Sequence, residues 1–185
     1  MIDRRALTLL FKQLLYISLG LAIIFYRLLP LETTPAHWVG PDILVTATCL
    51  YAIRRPAYVP MISVAVLFLF SDLMLHNPPG LLSLFMVLSC EWLKRRSHYL
   101  RVATFSVEWL AIAFVIAVQV IGSHIILTLT MATTPPLGLT SMQAVGTVLL
   151  YPILSRLSHH IFGVHKTPTG AVSYTHLTLP TIYSV

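Results

Sequence analysis

Seven ionisable residues of this 185-residue chain sit in or beside long apolar stretches: Arg27, Asp72, His76, Glu91, Glu108, His124 and Arg156. A charged side chain at a bilayer centre costs roughly 2.5–3.5 kcal/mol on insertion scales, so each needs a partner or a task. Asp72 is the deepest carboxylate, and His76 follows it by one helical turn. A carboxylate and an imidazole so spaced can hold a proton or a polar solute, with His124 joining at similar depth. The plainer alternative is that Asp72 pairs with His76 or Arg27 near the outer surface and keeps helices in register. Glu91-Trp92-Leu93 and Glu108-Trp109-Leu110 repeat one short pattern. Tryptophan favours the membrane interface, and Glu91 precedes Lys94 and Arg95 by three and four residues, so anchoring with local ion pairs accounts for both motifs. Arg156 requires an acidic partner, and Glu91 or Glu108 is expected to supply it. His159 and His160, beyond it, read as interfacial.

Other chemistry lacks its signatures. There is no His-Glu-x-x-His pair for zinc, no Gly-x-Ser-x-Gly elbow and no glycine-rich phosphate loop with lysine. Cys49 and Cys90 lie within or at the ends of apolar stretches and make neither a metal motif nor an expected disulfide. The polar loops are too short for a soluble catalytic domain. No cofactor and no metal site are expected, and the chain reads as non-enzymatic.

The elements that must carry these residues are transmembrane helices. Hydrophobic residues make up 57% of the chain and charged ones 10%, against about a quarter charged in soluble domains. Too few charges remain to coat a soluble globule. Six apolar stretches follow, read as an all-α, polytopic bundle: about 13–29, 42–53, 58–75, 81–93, 103–131 and 140–161. A hydrocarbon core of about 30 Å takes about 20 apolar residues per helix, so the second span is short and the fifth must tilt or kink. Asp42 is placed to cap the second span, and Arg54-Arg55-Pro56 ends it. The alternating ten-residue pattern of an outer-membrane barrel is missing.

Lysine and arginine fall in alternate gaps. The leader with Arg4, Arg5 and Lys12, the Arg54-Arg55 junction, the segment from Lys94 through Arg101, and Lys166 lie on one side. The three opposite loops contain neither residue, and Arg27 alone escapes the pattern. Under the positive-inside rule both termini are cytoplasmic, as an even number of spans also requires. The formal net charge of +6 is therefore an orientation signal and an attraction to anionic lipids, with no nucleic-acid partner implied.

On the opposite side, Pro78-Pro79-Gly80 and Pro135-Pro136-Leu137-Gly138 each stop one helix and start the next. Hairpin geometry explains them, since proline suits the first helical turn. They also present short, rigid, uncharged surface suited to partner docking, with Pro79, Gly80, Pro136 and Gly138 as candidates.

From 1 to about 171 the chain resembles the MreD family of bacterial rod shape-determining membrane proteins, in its alphaproteobacterial branch. The resemblance is carried by the basic leader, Arg27-Leu28-Leu29-Pro30-Leu31, Thr33-Thr34-Pro35 with Trp38, and Gly40-Pro41-Asp42. It continues in Arg54-Arg55-Pro56 with Tyr58-Val59-Pro60, and in Asp72-Leu73-Met74 before Pro79-Gly80. Glu91 before Lys94-Arg95-Arg96, and Pro135-Pro136-Leu137-Gly138, complete it. It implies a small inner-membrane protein of the elongation machinery, without known enzymatic activity, coupling MreB-type filaments to wall synthesis. The implied partners are MreC-type and MreB-type proteins, with a RodA-type glycosyltransferase and a transpeptidase nearby. The family is similar in architecture to the substrate-binding subunits of energy-coupling-factor transporters. That second reading predicts a polar pocket near the outer surface with Arg27, Asp72, His76 and His124, and co-purification with an ATPase module. A docking protein would instead keep Arg27 and Asp72 paired, with no cavity large enough for a vitamin.

After Gly170 the character changes, and residues 172–185 look like one reading frame of a transposon-based sequencing adapter. This tail is read as a non-native or disordered scar.

Overall fold

The computed structural model describes residues 4–29, 40–132 and 134–162. Six α-helices and one 3-10 turn follow in order: α1 (Arg4–Leu28), α2 (Ile43–Arg54), the turn Pro56–Tyr58, α3 (Met61–Met74), α4 (Leu81–Val102), α5 (Phe105–Leu129) and α6 (Leu137–Phe162). The described residues contain no strand, and the expected all-α membrane bundle is what forms. Thr33, Thr34, Pro35, Trp38, Lys166 and the 172–185 tail lie outside the described residues, as do the side chains of His159 and His160.

Three helical segments are long and apolar enough to cross a membrane: Leu7–Leu28, Phe105–Leu129 and Leu137–Ser158. The surfaces of these segments and of α3 are apolar outward. Ile62, Val66, Leu110, Phe114, Leu129, Leu149 and Ile153 are all exposed, while Thr46, Thr48, Ser71, Ser89, Thr147 and Ser155 are buried. Exposed apolar area on this scale needs a covering, and lipid supplies it. Small hydroxylated residues inside let helices approach closely and bond across their contacts. Gly122 shows the point: a Cβ there would overlap the ring of Phe85 in α4.

At a rise of 1.5 Å per residue, α2 and α3, with 12 and 14 residues, reach only about 18 and 21 Å. The short α2 is tolerated because neighbours cover it. Every residue from Leu44 to Arg54 is buried, against α4 and α6 above all. Asp42 caps it as expected, its carboxylate accepting the Val45 amide at 3.2 Å.

Four boundaries differ from the sequence reading by three residues or more: α1 already begins at Arg4, so the basic leader is helical, and α3 begins only at Met61, after the Pro56–Tyr58 turn. The fourth helix continues past Leu93 through Lys94, Arg95 and Arg96 to Val102. Lysine, arginine and glutamate are good helix formers, so a run of charge ends a hydrophobic stretch without ending a helix. Glu91 accepts from Lys94 at 3.1 Å, and Arg101 bonds back to Ser97 at 3.1 and 3.0 Å. The sixth helix begins at Leu137 and not Thr140. Gly138 is therefore a first-turn residue with open space around it, whereas Gly80 adopts φ 84° just before α4, where other residues would be strained.

Candidate functional site

All six helices meet at one end around an open cavity of about 860 Å³. The starts of α2, α4 and α6 and the ends of α1, α3 and α5 supply it, so positive and negative helix termini balance there. Arg27, Asp72, His76 and His124 all line it. Pro79 lines it as well. Asp42, read from the sequence only as a cap, lines it too, and Gln119, Ser123, Gln143 and Thr147 join as residues the sequence did not single out.

The pairing expected for Asp72 is corrected. Arg27 bonds Asp42 at 2.9 Å, not Asp72. Asp42 also receives the Val45 amide on its other carboxylate oxygen, and its own amide donates to Thr147 at 2.9 Å. One residue thus ties α1, α2 and α6. The missed signal was its place one residue before α2, which serves a cap and an ion pair at once.

Asp72 pairs with neither Arg27 nor His76. It is fully buried, and its Oδ2 accepts the backbone amides of Gly80 at 3.1 Å and Ser83 at 3.3 Å. These belong to the opening turn of α4, whose first amides have no helical acceptor. A carboxylate of α3 therefore caps α4 across the Pro78-Pro79-Gly80 hairpin, and Ser83 Oγ donates back to the Ala65 carbonyl at 3.0 Å. Oδ1 of Asp72 has no partner. His76 is exposed, with φ 56°. His124 bonds Thr140 at 3.1 Å, joining α5 to α6.

The opposite end carries the basic residues and a different cluster. Glu108, expected at an interface, is completely buried. Its Oε1 accepts from the Tyr151 hydroxyl and lies 3.6 Å from Arg54 Nε. Arg54 further donates to the Ser155 hydroxyl at 2.5 Å and the Ser158 hydroxyl at 3.4 Å. The partner of Glu108 is therefore Arg54, not Arg156, and Arg54 belongs to the core and not to a loop. Arg156 is exposed on α6 and pairs with neither carboxylate; a long cationic side chain near a helix end can reach water by itself. Glu91 pairs locally with Lys94, the kind of ion pair expected of that motif, and Arg96 sits 5.0 Å over the Trp92 ring, which the sequence did not indicate.

Trp109 does something else. Pro152 lies inside α6 and lacks the N–H that would bond the carbonyl four residues earlier, that of Val148. The Trp109 indole N–H donates to this carbonyl at 3.0 Å. A neighbouring helix thereby satisfies a backbone group that lipid cannot.

Among the described residues no three His, Cys, Asp or Glu side chains are grouped to hold a metal. Cys49 and Cys90 are free and buried. Pro136 and Gly138 stay on the exposed rim outside the cavity lining. Comparison with protein-family models, curated proteins and solved structures gives no match.

Proposed function

We propose that this chain is a rod shape-determining protein of the MreD kind: a non-enzymatic, multi-pass component of the cell-elongation complex in the bacterial inner membrane. Both termini and the basic end then face the cytoplasm, towards MreB-type filaments. The cavity end, with its uncharged Pro-Gly rims, faces MreC-type partners and the glycosyltransferase and transpeptidase of wall synthesis. The observation that carries this reading is where the family-like fragments meet. Arg27, Asp42, Asp72 and Pro79 are far apart in sequence, yet all line one cavity, held by the Arg27–Asp42 pair and the Asp72–Gly80 bond. A photo-crosslinking residue at Pro79 or Pro136, in cells making the partners, should capture the MreC-type protein. One at Leu110, exposed near the start of α5 towards the basic end, should not. Equal capture from all three positions would remove the docking role of the rims.

Two observations favour a second reading, the substrate-binding membrane subunit of an energy-coupling-factor-like transporter. The cavity has the size of a small-molecule site, and Arg27 and Asp72 are not paired, contrary to what simple docking predicts. Co-purification with an ATPase module would decide for it.

A further inference from the structure

The outward apolar surface is not equally deep all round the bundle. In α5 no acidic or basic residue lies between Trp109 and Leu129. Leu110, Phe114, Ile125 and Leu129 are exposed along it, and at 1.5 Å per residue Leu110 to Leu129 spans about 28 Å. In α4 the exposed Leu84 and Leu88 give way to Glu91 and to the cations from Lys94 onwards. Leu81 to Leu93 spans only about 18 Å, and α3 beside it about 21 Å. The register of α4 against α5 shows where the difference falls. Phe85 packs on Gly122, the Trp92 ring lies 5.8 Å from that of Phe114, and only Ala103 and Thr104 separate the two helices in sequence. Lys94 through Arg101 are therefore level with the first two turns of α5, where Phe105, Val107 and Leu110 are exposed. At the cavity end the same register leaves Leu129 about one turn beyond Leu81. The apolar face of α5 outreaches that of α4 at both ends, so tilting the bundle cannot level the two.

A hydrophobic stretch shorter than the roughly 30 Å hydrocarbon core is met by snorkelling, by oligomerising or by thinning the bilayer. Snorkelling runs against the side chains. Those of a helix lean towards its N-terminus, which from these cations of α4 is the way into the bilayer. Lys94 bonds back to Glu91 at 3.1 Å, Arg96 lies 5.0 Å over Trp92, and Arg101 bonds back to Ser97 at 3.1 Å. A two-fold pairing through this face would set the exposed Arg95 and Arg96 of each copy against their like. We infer that the bilayer is thinned by about 10 Å beside α3 and α4 and keeps its full depth beside α5 and α6, with lipid phosphates drawn in to Lys94, Arg95 and Arg96 near the level of Trp92. The partner of this face is phospholipid, and the inference depends on neither functional reading above.

The full chain is reconstituted in dioleoylphosphatidylcholine vesicles with a single spin label at Leu88→Cys, Val118→Cys, Leu84→Cys or Ile125→Cys, all exposed positions. Depth below the headgroups is read from the balance of oxygen and nickel-chelate relaxation. Leu88 and Val118 are level in the α4–α5 register, so a flat bilayer gives them one depth. The label at Leu88 should instead lie about 5 Å shallower than the one at Val118. Near the cavity end a flat bilayer places Leu84 deeper than Ile125, whereas thinning makes it no deeper. Equal or reversed depths at Leu88 and Val118 would overturn the inference. A shallow Leu88 combined with a Leu84 several ångström deeper than Ile125 would overturn it too, in favour of a tilted bundle. Adding Lys94→Leu, Arg95→Leu and Arg96→Leu together lengthens the apolar face of α4 and should sink the Leu88 label towards the depth of Val118. An unmoved label in that variant would overturn the part given to the cations.

Discussion

Asp42 and Asp72 are both short carboxylates that cap a helix start. Asp42 caps its own helix and holds Arg27; Asp72 caps the next helix from the end of the previous one. Asp42→Ala should destabilise the bundle by about 1–2 kcal/mol, the loss of an N-cap, with a further contribution from the stranded Arg27. Asp42→Asn keeps the capping oxygen and should fall between Ala and the parent in detergent unfolding. Equal loss in both variants would mean that the ion pair, not the cap, carries the effect. Asp42 was legible as a cap because it stands immediately before an apolar run. That it would take Arg27 was not legible, since the choice between two carboxylates depends on how α1 lies against α2 and α6.

Elements are joined at the basic end by Arg54, Glu108 and Tyr151, one from each of α2, α5 and α6. Breaking a buried pair by removing one partner costs about 3–5 kcal/mol, whereas replacing both with apolar residues is often neutral. Glu108→Ala should therefore lower stability far more than the double variant Arg54→Met, Glu108→Met, read from unfolding midpoints of the purified chain. A double variant as unstable as the single one would show that the cluster fixes the helices by more than charge. Trp109 and Pro152 form a second joint. Trp109→Phe leaves the Val148 carbonyl unpaired, at about 1–3 kcal/mol. In a Pro152→Ala background the restored backbone N–H takes its place, and the same change should cost at least about 0.5 kcal/mol less. Helix count and the opening residues of α2 and α4 were readable from apolar runs and their breakers. The burial of Arg54 was not, because Arg54-Arg55-Pro56 reads as a basic turn, and only packing against α6 selects which arginine turns inward. The extension of α4 past Lys94 was hidden for a related reason: hydropathy reports the lipid boundary, while helix propensity carries on through the charges.

For the whole molecule, the described lysines and arginines gather at one end and the paired Arg27 lies at the other, which predicts an orientation that labelling can test. Cys49 and Cys90 are buried at 0% and 1% exposure, so they form a silent background for a membrane-impermeant thiol reagent. In intact spheroplasts Pro79→Cys should react and His98→Cys should react only after lysis; the reverse pattern would invert the topology. The decisive measurement for the cell-shape reading is depletion of this protein in a rod-shaped host that depends on it, with cell width followed by microscopy. The account predicts that rods widen and round up, and that re-expression of the parent restores them. Cells that remain rods after the protein is gone would contradict it.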